Sequence, residues 1–260
     1  MSPTAEHFFT EVQGIKTHFI RLGQAEQKVI FLHGWGGSTQ SFWPMALELR
    51  AARPDLELIL LDYPGFGDTD NPPPSGFSSA DYADWVKSFC DQQNITKAHF
   101  YTHSNGGRML IPLMQAHPEL GQKLVFSASA GVKWPDTLKQ KFSKWASLRF
   151  AKAKRKFPAQ LQKFVVTKVL GARDWGNVEP ALKTTLTKIL AEDDAREKLA
   201  NIKQPSLVLW GERDQITPLK SGQVFAKKLP NNQFVTFKTG RHGIHHTHRA
   251  EIVERLTQFF

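Results

Sequence analysis

The 260-residue chain has almost no cysteine: Cys90 stands alone. No internal disulfide can form, so core packing and hydrogen bonds must hold the fold, and a reducing, cytoplasmic setting is expected. Cys90 itself reads as a small buried apolar residue. No stretch of about 18 apolar residues occurs, which argues against a membrane-spanning helix. The opening MSPTAEHFFTEV lacks a basic start followed by an apolar run, so no signal peptide is expected. Internal repeats and low-complexity tracts are missing as well. What remains is 40% hydrophobic and 22% charged, ordinary for a globular domain. The length suits one core, or a core with an insertion.

Charge is unevenly placed. The net charge is +10, yet Lys133 to Arg173 holds 12 Lys/Arg against the single acid Asp136. One basic segment is therefore carried by a nearly neutral body.

Short apolar runs recur, each ending in glycine or polar residues. Val29–Leu32 runs into His33-Gly34-Trp35-Gly36-Gly37, and Leu58–Leu61 into Asp62-Tyr63-Pro64-Gly65-Phe66-Gly67. Ala98–Tyr101 leads to Thr102-His103-Ser104-Asn105-Gly106-Gly107, and Lys123–Ser127 to Ala128-Ser129-Ala130-Gly131. Ser206–Trp210 ends at Gly211-Glu212-Arg213-Asp214, and Gln233–Phe237 at Thr239-Gly240-Arg241-His242. These read as buried strands. Between them, Ser79–Gln92, Gly107–His117 and Arg249–Phe260 read as helices. The alternation predicts an α/β fold with a mostly parallel central sheet flanked by helices. Ligands in such sheets bind outside the carboxyl ends of the strands, where every one of these clusters falls. Residues 133–204 break the rhythm and read as several helices with no strand. The expected division is a core of 1–132 and 205–260 with a helical lid of 133–204.

Ser104 sits in a strand–turn–helix context, the arrangement called a nucleophile elbow. Gly106 and Gly107 suit the tight turn, while Thr102 stands where the motif has its first glycine. A serine there can equally cap the next helix. A neutral hydroxyl needs a base, and the base an orienting acid. Asp214 is the candidate acid, with Glu212 as alternative; an aspartate there can also simply form a turn. His242 is the candidate base. His245, His246 and His248 lie close by, and such a cluster can also bind metal. An oxyanion hole needs backbone N–H groups, expected from Asn105 and Trp35. Asp62 and Asp68 read as loop-structuring.

Together, His33-Gly34, Asp62-x-Pro64-Gly65-x-Gly67, His103-Ser104-x-Gly106-Gly107, Gly211-x-x-Asp214-x-x-x-Pro218 and Gly240-x-His242 resemble the α/β-hydrolase superfamily, most of all its lid-bearing esterase, lactonase and C–C hydrolase branch. The resemblance covers roughly residues 25–132 and 205–260. It implies a Ser104, Asp214, His242 triad acting with no metal and no organic cofactor. In that superfamily an aspartate at the elbow implies dehalogenase or epoxide-hydrolase chemistry, so Ser104 implies acyl transfer to water.

The expectation is a carboxylic-ester hydrolase for a small-molecule ester or lactone. C–C hydrolysis of a diketone, a small aminopeptidase, and a non-catalytic ligand-binding pseudo-hydrolase are the alternatives. His33, Gly34, Trp134, Trp145 and Trp175 are candidate pocket residues, and Phe142, Phe150 and Phe157 either line the pocket or pack the lid. The basic segment, including Lys139, Lys141, Lys144 and Arg149, reads as a solvated face or as a weak contact for anionic surfaces. No nucleic-acid-binding module is present. Monomer and homodimer both remain open.

Overall fold

The computed structural model describes residues 6–134 and 179–260. Trp145, Trp175, Phe142, Phe150, Phe157, Lys139, Lys141, Lys144 and Arg149 lie outside the described residues, as does most of the basic segment.

Eight strands form one sheet: β1 (Glu6–Val12), β2 (Ile15–Leu22), β3 (Gln27–Leu32), β4 (Leu56–Leu61), β5 (Ala98–His103), β6 (Gly121–Ser127), β7 (Ser206–Gly211) and β8 (Asn232–Phe237). Their order is β1-β2-β4-β3-β5-β6-β7-β8. Strands β3 to β8 are parallel and correspond to the six apolar runs, while β1 and β2 add an antiparallel edge. The β1–β2 hairpin turns at Gln13 and Gly14, both left-handed, with φ of 50° and 77°. That pair of signs matches the hairpin twist.

Strands β4, β5 and β7 are buried along their whole length, as expected of a sheet covered on both faces. Their residues alternate between two apolar layers. Ile30, Ile59, Phe100, Phe126 and Trp210 face α2 (Ser79–Gln92), α3 (Asn105–Ala116) and α5 (Leu219–Lys228). Phe31, Leu60, Tyr101, Val125 and Leu209 face α1 (Trp43–Ala52) and α6 (Arg249–Phe259). Helix α2 occupies its expected span and starts with a capping box: Asp81 N–H donates to Ser78 Oγ, and Ser78 N–H to the Asp81 carboxylate. Helix α3 begins at Asn105, two residues earlier than its sequence pattern, directly after Ser104.

The remaining long helix, α4 (Pro180–Ala191), precedes β7 and rests on the loop after β4. Phe77 N–H donates to Thr185 Oγ1, Lys188 Nζ to the Gly76 carbonyl, and Arg108 to the Ile189 carbonyl. Glu192, just past its end, accepts from the Ser79 N–H at the start of α2. This part of the expected lid is thus tied to the side of the sheet where the strands end.

Helix α5 packs on β7 through Gly222. A Cβ at that position would lie 2.6 Å from Trp210 Cδ2. Gly222→Ala is therefore expected to overpack the contact and cost about 1–3 kcal/mol. A fall in the urea midpoint at constant slope is the expected reading, and an unchanged midpoint would contradict this packing.

Candidate active site

Ser104 follows β5 with φ 50° and ψ −113°, a backbone conformation rarely adopted by a non-glycine residue. Two hydrogen bonds fix it. Ser104 N–H donates to the Ser127 carbonyl at 3.0 Å, and Ala130 N–H to the Ser104 carbonyl at 2.9 Å. The end of β6 therefore dictates where the hydroxyl points. Helix α3 comes so close to β3 that a Cβ on Gly106 would stand 2.2 Å from the Leu32 carbonyl oxygen, which explains the glycine. Thr102, the departure from the motif, donates its hydroxyl to the Val125 carbonyl at 2.7 Å. The threonine is absorbed by β5–β6 pairing and the elbow still forms.

Ser104 Oγ lies 2.9 Å from His242 Nε2, and His242 Nδ1 lies 2.9 Å from Asp214 Oδ2. The three residues come from the loops after β5, β7 and β8. The Asp214 loop is tied down on its own account. Its Oδ1 accepts from the Ile216 and Thr217 N–H groups, and Trp210 Nε1 donates to the Thr217 carbonyl. Burial pushes the Asp214 carboxyl up, but the hydrogen bond and charge of His242, with the Ile216 N–H and Thr217 contacts, hold it below the ordinary carboxylate value. An ionised Asp214 favours the proton on His242 Nδ1, which leaves the Nε2 lone pair facing the serine. Glu212, the alternative acid, instead accepts a hydrogen bond from Thr236 Oγ1.

Sequence reasoning missed Thr217, whose hydroxyl reaches Asp214 Oδ2 at 2.8 Å, the Ala128 carbonyl at 3.0 Å and His242 Nδ1 at 3.2 Å. It also missed a run of imidazoles in tilted contact. His103 lies 4.7 Å from His242 and 4.3 Å from His245, which lies 4.1 Å from His246, between ring centroids. His245 is buried against His103 and Phe42 rather than lying on the surface. Burial, reinforced by the neighbouring imidazoles, pushes His103 well below its ordinary value and His245 to about 3.

The cavity above Ser104 is lined by Gly34, Trp35, Gly37, His103, His242 and His246, among others. Trp35 N–H makes no hydrogen bond among the described residues, and Asn105 N–H belongs to the unpaired first turn of α3. Of the pocket candidates, Gly34 lines this cavity and His33 does not. His33 is fully buried and stacked 3.9 Å from Tyr63, and burial pulls it down to about 4. Trp134 is not among the lining residues. Its Nε1 donates to Ser221 Oγ, and Arg196 and Lys220 lie over its ring.

Asp62 accepts from Thr39 N–H at 2.6 Å and Asp68 N–H at 3.2 Å, and faces His18 Nδ1 at 2.7 Å, so it does structure its loop. His18, Asp62 and Asp68 are the one described group whose ligand atoms cluster closely enough for a metal. The Asp62 oxygens are already engaged by His18, Thr39 and Asp68. Among the described residues no helix is long and apolar enough to cross a membrane.

The sequence pattern of the family described as alpha/beta hydrolase fold matches residues 28–174 and 185–249. The 2-hydroxy-6-oxononadienedioate/2-hydroxy-6-oxononatrienedioate hydrolase of Paraburkholderia phymatum is 26% identical, over 94% of this chain and 89% of its own. The pimeloyl-(acyl-carrier protein) methyl ester esterase of Legionella pneumophila (strain Corby) is 26% identical, over 93% of this chain and 98% of its own. The solved structure of a bromoperoxidase from Bacillus anthracis superposes with a TM-score of 0.75 at 21% identity, covering 98% of this chain and 99% of that one.

His33, His103 and His245 are neutral in the fold, with proton affinities below the ordinary 6.5. The unfolded chain takes up their protons as pH falls below 6.5, while in the fold His33 resists until about 4, His245 until about 3, and His103 stays neutral well below its ordinary value. Stability is thus complete above that window and is lost within it, with a slope approaching about 4 kcal/mol per pH unit for three groups. Urea denaturation at pH 7 and pH 5 is expected to show this drop, and equal stability at both would contradict the burial of these rings.

Proposed function

We propose that this chain, which belongs to the α/β-hydrolase family, is a serine hydrolase that cleaves carboxylic esters, lactones included, through an acyl-enzyme on Ser104. The observation that carries the reading is the unbroken chain from Asp214 Oδ2 through His242 to Ser104 Oγ, with 2.9 Å at each link, ending on a residue held at φ 50°. The likeness to the Legionella methyl ester esterase supports an ester as substrate.

In this reading His242 Nε2 takes the hydroxyl proton as Ser104 Oγ bonds to the carbonyl carbon. The charge moved onto the imidazole is offset by Asp214, which stays ionised. The carbonyl oxygen, now an oxyanion, accepts from the Trp35 and Asn105 N–H groups, each worth about 3–4 kcal/mol of barrier by analogy with measured oxyanion donors. The bond to the leaving oxygen then breaks, and that oxygen takes the proton from His242 Nε2. Water repeats the sequence on the acyl-serine.

A second reading, hydrolysis of a C–C bond in a diketone, is favoured by the likeness to the Paraburkholderia hydrolase. It uses the same three side chains with carbon as the leaving atom.

Purified protein is expected to hydrolyse short p-nitrophenyl esters. Ser104→Ala is expected to lower kcat by at least about 10³-fold, because the remaining groups have no nucleophile to activate. Retained turnover in that variant would remove Ser104 from the mechanism. Turnover of a ring-fission diketone with no turnover of any ester would move the assignment to the second reading.

A further inference from the structure

A second cavity, of about 340 Å³, also borders His242. Its walls include Arg213, Ile216, Arg241, His242 and Gly243. His242 and Gly243 also line the cavity above Ser104, so the two spaces meet at the imidazole. The Arg213 N–H donates to the Gly240 carbonyl at 2.9 Å, which docks the loop after β7 on the loop after β8 and brings both arginines to one rim.

Among the described residues neither guanidinium has a hydrogen-bond or ion-pair partner. Some other cations of the described surface are paired, while Arg255 and Lys238 are among those that, like these two, are not. Arg53 pairs with Asp55, Arg249 with Glu48, Lys228 with Glu197, and Arg196 with Asp194. The acids nearest in sequence are committed elsewhere, Glu212 to Thr236 and Asp214 to His242. Two uncompensated positive charges therefore border one concavity. Ile216, 71% exposed, supplies an apolar wall beside them. Exposing that much of an isoleucine next to paired guanidinium groups fits a ligand with a hydrocarbon or aryl body and an anionic end.

We infer that Arg213 and Arg241 bind an anionic group, a carboxylate or phosphate, carried on the leaving-group side of the substrate. The inference rests on the serine-hydrolase reading for its direction. The departing oxygen has to collect its proton from His242, so the substituent it carries extends past the imidazole toward Gly243 and the arginine pair. The acyl portion stays over Ser104. Guanidinium groups suit this task because their planar forks bind a carboxylate or phosphate bidentately, which a flexible ammonium does less well.

The test compares 4-acetoxybenzoate with 4-acetoxybenzamide, which differ in the charge of the leaving group. Wild-type protein is expected to favour the carboxylate by about tenfold or more in kcat/KM at low salt. The preference is expected to shrink in about 0.5 M salt and to approach unity in Arg213→Gln/Arg241→Gln. No preference in the wild type, or an undiminished one in the double variant, would overturn the inference. Binding of 4-hydroxybenzoate to Ser104→Ala protein, followed by ligand NMR, separates this claim from the catalytic one. Binding that disappears on adding the two arginine substitutions supports the site even if neither ester turns over. Absence of binding would overturn it even if both esters are cleaved.

Discussion

The backbone of one residue sets the terms for the rest of the site. Ser104 is held in a left-handed conformation that costs on the order of 1–3 kcal/mol, and it persists because its own N–H and C=O are both bonded to the segment following β6. Release of those bonds would let the hydroxyl turn away from His242. The parallel pairing of β5 with β6 is thus part of the chemistry, and so is the contact of Gly106 with the end of β3. A sheet whose strands end on one side brings Ser104 to Asp214 and His242, both more than a hundred residues further along the chain.

Electrostatics at the site depend on what is kept neutral as much as on what is charged. His103 lies against His242 and His245 against His103, and both are buried deeply enough to stay uncharged. A cation there would oppose the imidazolium that the proposed mechanism forms on His242. Asp214 is the opposite case, a carboxyl held ionised by donors that outweigh its burial. The arginine pair beyond His242 adds positive charge at the rim, where solvent moderates its effect on the imidazole and a ligand can reach it.

Much of the fold was legible because buried parallel strands are written as continuous apolar runs. Leu58–Leu61 and Ser206–Trp210 became β4 and β7, and the helix 79–92 fell where Tyr82, Trp85, Val86 and Phe89 repeat. The β1–β2 hairpin escaped because its turn is Gln13-Gly14 rather than an asparagine- or aspartate-glycine pair, and because its strands are partly exposed. Helix α5 was hidden by Gly222, which looks like a breaker in sequence and is a packing surface in the fold. At the site, the nucleophile, base and acid candidates were each named by a glycine-rich loop at a strand end. Thr217 and the His103–His245 contact were not, since nothing local marks a threonine or an imidazole for a partner distant in the chain. His33 sat in a legible motif but serves the core, where Tyr63 stacks on it.

The central claim is that Ser104 is made nucleophilic by His242, which is oriented by Asp214. Intact-protein mass spectrometry after exposure to a fluorophosphonate, followed by peptide mapping, tests it most directly. The account predicts a single adduct on the peptide bearing Ser104, formed quickly by the wild-type protein and much more slowly by His242→Ala. An adduct on another residue, no adduct at all, or labelling at the same rate without the imidazole would contradict it.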